Sequence, residues 1–294
     1  MKYVLGIDLG GSSIKAVTVT PEGHLLAEAQ VPFVDRDREW AYKLRALVRD
    51  FEAQQGAVAA AIGIAAPGLA DPAGRFIAHM PGRLIGIERL DWSEWLGTAQ
   101  PIPVLNDAHA ALLGEVWLGA ARGLTNAFML TLGTGVGGGL VADGKVIQGL
   151  HGIGGEWGHN HLDDSGGTCF CGKTGCVEKI LSGPALEAFY QSISGNKKSL
   201  KEIYSLHKNG DEFAQKTIDR LTYFFGKATS VVINIVDPDV IVVGGGVGNI
   251  EEIYSEGLIW AKKFSFNRGV LNTHIVKPKL GDSAGVFGAA TLTA

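Results

Sequence analysis

Two stretches of the chain repeat one plan of apolar and polar positions. In the first, Tyr3 to Asp8 is mostly apolar and predicts a strand, and Leu9-Gly10-Gly11-Ser12 predicts a tight turn. Ser13 to Thr20 follows as a second strand, and Pro21-Glu22-Gly23 as a hairpin turn into a third, His24 to Gln30. At mid-chain, Phe128 to Leu132 predicts a strand, Gly133-Thr134-Gly135 a turn, Gly137 to Ala142 a strand, Asp143-Gly144 a hairpin, and Lys145 to Gln148 the last strand. Two copies of this order predict duplicated halves facing each other across a cleft.

Helical spacing fills the intervals. Trp40, Leu44, Leu47, Val48 and Phe51 recur on one helical face, with Asp35 and Asp37 as expected caps. Ser182-Gly183-Pro184 opens a helix with Leu186, Phe189, Tyr190 and Ile193 on its apolar face. A longer helix runs from about Phe213 to Ile235, stopped by Asp237-Pro238, and Asp239 to Val243 is an apolar strand ending in Gly244-Gly245-Gly246. The class is α/β.

Composition narrows the function. The chain has 294 residues, enough for about two domains, and its 46% apolar content excludes a disordered chain. Glycine contributes 42 of 294 residues, against a usual share of about 7%; such an excess belongs in turns and close backbone approaches. The net charge is −4 and no Lys/Arg run exceeds a pair, which argues against a nucleic-acid partner. The longest apolar stretch, Ala57 to Ala70, is broken by Pro67 and Gly68 and is too short to span a bilayer. The first residues lack the apolar core of a secretory signal, so the expected compartment is the cytoplasm.

Four segments carry chemistry. In the first turn, Gly10 and Gly11 let backbone N–H groups approach phosphate oxygens, Ser12 and Ser13 add hydroxyls, and Asp8 can hold Mg²⁺ through water. An ordinary glycine hairpin remains open for this segment alone, and the P-loop pattern is missing. Gly133-Thr134-Gly135-Val136-Gly137-Gly138-Gly139 places five glycines in seven residues after a strand and predicts a second phosphate cradle. Gly244-Gly245-Gly246, at the carboxyl end of a strand, is where open α/β sheets take ligands, and it reads as the nucleoside support. Asn106-Asp107 stands at a strand-to-helix junction. Both types are usual helix caps, and Asp107 can also take the proton of an attacking hydroxyl while Asn106 holds a neighbouring one.

The fourth segment contains the chain's three cysteines, Cys169, Cys171 and Cys176. An odd, tight cluster suits a metal in a reducing compartment better than disulfides. Tetrahedral zinc needs a fourth ligand, for which His159, His161 and, less favourably, His151 are available. Four protein ligands leave no open position, so this zinc is expected to be structural.

Together these segments resemble the ROK family of sugar kinases and sugar-responsive repressors, over essentially the whole chain. The most specific stretches are Gly155-Glu156-Trp157-Gly158-His159 and the run from Cys169 to Glu178, with Gly281 to Ala290 closing the resemblance. It implies a two-lobed, actin-like (ribonuclease H-like) ATPase fold with an interlobe cleft and a zinc-binding loop. Residues 1–107, with 282–294 packing back, would form a small lobe, and 108–281 a large lobe holding the zinc loop. The implied activity is transfer of the γ-phosphoryl group of ATP, with Mg²⁺, to the 6-hydroxyl of a hexose, most often glucose. Fructose and N-acetylhexosamines are alternatives.

Carried over by position, Asp107 matches the catalytic base. Asn106, Glu156, His159 and Glu178 match sugar-hydroxyl partners, and Gly68 a backbone sugar contact. Asp8, Gly10, Gly11, Ser12, Ser13, Lys15, Gly133, Thr134, Gly135, Gly137, Gly244, Gly245 and Gly246 make the nucleotide and Mg²⁺ set. His159 with Cys169, Cys171 and Cys176 matches the structural zinc set. A homodimer is also implied. A repressor would need a helix-turn-helix domain and a basic patch, and the first predicted strand here already begins at Tyr3.

Five positions in three segments depart from the family pattern. Ser12 replaces a Thr, His109 an Asn, and His79-Met80-Pro81-Gly82-Arg83 stands where Asn-Leu-Pro-Gly-Trp is usual. The last change leaves the identity of the hexose open.

Overall fold

The computed structural model describes residues 2–266 and 272–292. By backbone contacts the chain forms two compact units: Met1–Gly123 with Val146–Gly154 and Lys279–Ala294, and Leu124–Lys145 with Gly155–Pro278.

The first unit is built on a five-stranded mixed sheet. Strand β1 (Val4–Leu9) pairs antiparallel with β2 (Ser13–Val19), which pairs antiparallel with β3 (Leu25–Pro32). On its other side β1 runs parallel to β4 (Ala61–Ala66). After the two-stranded ribbon β5 (Leu69–Ala70) and β6 (Ile77–His79), β7 (Val104–Asn106) closes the sheet parallel to β4. Strand β1 is central and nearly all buried, as parallel pairing covered by helices requires.

Helix α1 (Glu39–Gln55) buries Trp40, Ala41, Leu44, Leu47, Val48 and Phe51, the stripe that the spacing predicts. Its expected caps are not used. Asp37 and Arg38 both adopt left-handed backbone, Arg38 occupies the N-cap without a side-chain bond, and Asp35 accepts instead from the Leu84 N–H at 2.9 Å. The short α2 (Trp92–Leu96) is capped by Asp91, and α3 (Asp107–Leu118) follows β7 without a break.

The second unit repeats the sheet order. Strand β8 (Ala127–Leu132) pairs antiparallel with β9 (Val136–Ala142), with the short β10 (Lys145–Val146) outside it. Parallel to β8 runs β11 (Val240–Gly244), and then β12 (His274–Val276). Its helices are α4 (Glu178–Leu181), α5 (Gly183–Ser194), α6 (Leu200–Lys208), α7 (Glu212–Val236) and α8 (Glu252–Phe264). Ser182 caps α5 through the Ala185 N–H, and the left-handed Asp237 ends α7 just before Pro238. Phe128, Leu130, Leu221, Phe225, Ile241 and Val243 share one buried core. Each such side chain contributes about 1.5–3 kcal/mol.

The last helix, α9 (Ala284–Thr291), returns to the first unit and packs on α3, β1 and β4. Its fit rests on glycine. A Cβ at Gly6 or Gly63 would overlap the carbonyl oxygens of Val286 or Ala289, and one at Gly288 that of Ala110. Because α3 belongs to this packing, the contact boundary falls after Gly123 rather than at Asp107, where the sequence reading put it. Residues 293–294, the end of the returning segment, lie outside the described residues. Among the described residues no helix is long and apolar enough to cross a membrane.

Candidate active site

Asp8 lies at the end of β1, directly across from Lys15 on β2. The turn between them is closed by the Gly10 N–H donating to the Ser13 carbonyl at 2.9 Å. Ser13 Oγ accepts from Gln30, and Lys15 Nζ donates to the Asp282 carbonyl, so both of these predicted phosphate contacts have local partners. Ser12 is exposed, and Gly10 and Gly11 are partly so. The Asp8 carboxyl is pushed up to about 7, first by burial and then by the charge of Asp107, against the lowering effect of Lys15. An acid so close to half-protonated gains from a neighbouring cation, which fits a divalent ion beside it.

Asn106 and Asp107 sit where β7 becomes α3. Asn106 is the N-cap: its Oδ1 accepts from the Ala108 N–H at 2.9 Å and from His109 N–H at 3.4 Å. Its Nδ2 donates to the Gly68 carbonyl at 3.0 Å. Asn106 therefore serves as the helix cap and also ties the Gly68 turn to α3, with its second amide hydrogen left over. Gly68 has φ of 97°, in a turn that no side chain fits because the His79 carbonyl lies 2.6 Å from where a Cβ would stand.

Asp107 Oδ1 accepts from the Ala108 N–H at 2.8 Å. One side of Asp107 is open to solvent, and the protein crowding its other sides desolvates the carboxylate. That desolvation raises its pKa, opposed by the backbone bonds and by the charge of Arg83. His109 is buried, which holds its pKa down. It donates to the Gly154 carbonyl, and its Nε2 has no partner among the described residues.

In the second unit, the β8–β9 turn is tied on three sides. Gly133 N–H donates to the Gly135 carbonyl at 2.9 Å, Gly183 N–H donates to the Gly133 carbonyl at 2.8 Å, and Glu178 Oε2 accepts from the Val136 N–H at 3.1 Å. Three of the five clustered glycines belong to strand β9 rather than to the turn. Gly137 is paired with Thr131, whose hydroxyl accepts its N–H at 3.1 Å, so that donor is already used. Gly138 lets the Gly155–Trp157 backbone lie against the strand. The turn proper is Gly133-Thr134-Gly135. A Cβ at Gly133 or at Gly246 would meet nothing within 4 Å, so the protein's own packing does not demand glycine at either place. Gly244 ends β11 and Gly245 turns the chain at φ of 84°.

A cavity of about 410 Å³ adjoins this turn, lined by Thr134, Glu178, Lys179, Ser182 and Arg220 among others. Arg220 donates to Ser165 Oγ at 3.0 Å and lies over the rings of Phe189 and Phe224. The sequence reading missed Lys179 and Arg220, because nothing in their spacing forms a motif.

The cysteine segment folds into a compact knot. Ligand atoms of His159, Cys169, Cys171 and Cys176 all lie within 4.8 Å of one another. The Cys171 and Cys176 sulfurs are 3.6 Å apart, and Cys169 Sγ is 3.5 Å from His159 Nδ1. Tetrahedral ligands at about 2.3 Å from zinc stand about 3.8 Å from each other, so the donor set fits. Burial and the two neighbouring thiols push the Cys176 thiol up; three thiolates packed this closely need a cation to carry their charge. His161 is engaged elsewhere, with Asp164 at 2.9 Å. Gly172 and Gly175 make the required left-handed turns. Glu178, also near Cys169 Sγ at 3.9 Å, links this knot to the β8–β9 turn. Glu156 precedes a short 3-10 turn, Trp157–His159, and is half-buried.

The model of the ROK family matches residues 4–294. The chain belongs to the ROK family. It is 30% identical to a glucokinase from Halalkalibacterium halodurans, across 99% of this chain and 94% of the relative. It is 31% identical to an N-acetyl-D-glucosamine kinase from Pectobacterium atrosepticum, across 98% and 97%. Among solved structures it is similar to a ROK family glucokinase from Streptomyces griseus in complex with glucose and AMPPNP, with a TM-score of 0.78, 27% identity and coverage of 99% and 98%.

Proposed function

We infer that this ROK chain is an ATP-dependent hexose kinase that transfers the γ-phosphoryl group of ATP to the 6-hydroxyl of a hexose, glucose first among them. The observation that carries this reading is Asp107: a desolvated carboxylate with raised proton affinity, at a helix start, in the field of Asp8 and Arg83. A base for an alcohol gains from that shift, since it takes the proton more readily as the oxygen attacks.

In this reading Asp107 accepts the hydroxyl proton and Asn106 donates its remaining amide hydrogen to a neighbouring hydroxyl. Glu156, His159 and Glu178 serve further hydroxyls, which both donate and accept and so suit carboxylates and an imidazole. The turns Gly10–Ser13 and Gly133–Gly135 offer N–H and hydroxyl donors to the phosphates, and Gly246 leaves room beside the nucleoside. Asp8 would hold Mg²⁺, which neutralises charge on the phosphates when bound. His159, Cys169, Cys171 and Cys176 would hold zinc as a brace, with the second imidazole nitrogen of His159 left for the sugar. Free thiols gathered for a cation fit a reducing compartment, and the cytoplasm is the proposed location. A homodimer is proposed from the family resemblance alone.

N-acetylglucosamine is the second substrate reading, because the chain is 31% identical to a kinase for that sugar and 30% identical to a glucokinase. The test is a coupled assay of ADP release with MgATP and a panel of glucose, fructose, mannose, N-acetylglucosamine and N-acetylmannosamine. Sugar-dependent turnover is expected, highest with glucose. Hydrolysis indifferent to every sugar would overturn the kinase reading.

A further inference from the structure

Arg83 stands in the loop after β6, at a position where the family pattern has an aromatic residue. The loop is pinned on both sides of it. Met80 N–H donates to Glu88 Oε1 at 2.6 Å, and Leu84 N–H donates to Asp35 Oδ2 at 2.9 Å. Leu84 is fully buried and takes a left-handed backbone, φ 48°. A residue next to such an anchor has little freedom in where its side chain starts.

The guanidinium reaches the first glycine turn. A Cβ on Gly11 would overlap Arg83 Nη2 and lie 2.9 Å from Cζ, so the planar head rests on the Gly11 backbone. Its charge also acts on the Asp107 carboxylate. Yet Arg83 takes part in none of the salt bridges found among the described residues. An exposed cation lying against the turn proposed to bind phosphate, with its charge acting on the proposed base, is placed for an anion that arrives with the substrate.

We propose that Arg83 is a further catalytic residue of this kinase, its guanidinium contacting the oxygens of the phosphoryl group in transfer. The proposal rests on the hexose-kinase reading and deepens it. In the step, the O–H bond of the sugar hydroxyl breaks and its proton passes to Asp107. The sugar oxygen forms a bond to the γ-phosphorus, and the bond from that phosphorus to the bridging oxygen breaks, its electron pair leaving with ADP. Arg83 gains and loses nothing. Its donor fork matches the equatorial oxygens, on which charge is spread in the transition state, and a tryptophan at this position offers one neutral N–H in place of a charged fork.

The experiment compares the parent chain with Arg83→Gln and Arg83→Lys, using glucose and MgATP. A single donor to developing charge is worth about 10²–10³ in rate. Arg83→Gln should therefore lose about 100-fold or more in kcat, with the KM for glucose within about threefold of the parent. Arg83→Lys, which keeps the charge without the fork, should fall between them, and millimolar guanidinium should restore Arg83→Gln but leave the parent unchanged. A kcat for Arg83→Gln within about threefold of the parent, a loss confined to the KM for glucose, or no response to guanidinium would overturn the assignment. If the parent phosphorylates a sugar and Arg83→Gln is indifferent, only the role of Arg83 fails; if the parent phosphorylates none, the kinase reading itself fails.

Discussion

Asp107 and Asp8 repel each other: after burial, the charge of Asp107 is the largest force lifting the Asp8 carboxyl to about 7. Asp107 itself is raised by desolvation and restrained by the Ala108 N–H and by Arg83. Removing its basicity while keeping its shape separates chemistry from folding. Asp107→Asn should lower kcat by about 10²–10⁴, with a melting temperature close to the parent, because an amide oxygen can still accept from Ala108. In the parent, kcat/KM should rise with pH through a value above the ordinary carboxylate range. Near-parent turnover of Asp107→Asn in the coupled assay would remove it as the base.

Burial of Asp8, with that repulsion added to it, sets a pH dependence of stability. Asp8 has a folded pKa near 7, against about 3.9 for an unfolded Asp. Between those values the folded chain holds a proton that the unfolded chain releases. Stability from this group is complete below about pH 4 and is lost as pH rises through 7. Without Mg²⁺ or nucleotide, the urea midpoint should therefore fall between pH 5 and 7.5, and Asp8→Asn should flatten that fall. An equal slope in the variant would contradict the account.

Much of this was legible in the chain, for identifiable reasons. The strand, glycine turn, strand plan is local, and local patterns fix β1–β2 and β8–β9 within a residue or two. The junction at Asn106 and the cysteine cluster are equally local. What stayed hidden depends on partners far along the chain. Gly6 and Gly63 carry no signal in the sequence, because what they make room for, α9, lies more than 200 residues further along the chain. Gly137 and Gly138 counted towards a phosphate cradle, although their place is in the ladder of β9. Asp35 read as a helix cap because its spacing allows it, while its carboxylate goes to Leu84. Arg83 was visible as a departure, but only folding brings it to Gly11.

Zinc should behave as part of the fold. Purified chain should contain about one zinc per molecule by elemental analysis. Cys171→Ser removes one of four ligands while leaving the buried Cys169 and Cys176 in place. Because metal binding is folding energy in such sites, the variant should lose zinc and melt at least about 5 °C lower. Chelation of the parent should reproduce that shift. A metal-free parent of unchanged stability would argue against the brace.

The contact of α9 with α3 is the tightest test of the packing argument. At Gly288 the Ala110 carbonyl occupies the space a Cβ needs, and at Gly114 the Ala284 carbonyl does the same from the opposite helix. In both cases the obstruction is backbone, which cannot rotate away as a side chain can. Gly288→Ala should therefore cost stability even though alanine favours helix; overpacking of this kind costs about 1–3 kcal/mol or more, against at most about 1 kcal/mol gained in propensity. Gly281→Ala, near the same helix but with open space around it and φ of 55°, should cost only the smaller backbone strain. Urea denaturation of the two variants distinguishes the causes. A Gly288→Ala chain as stable as the parent would mean that α9 is free to move off the sheet, and that the glycines along it are not there for close approach.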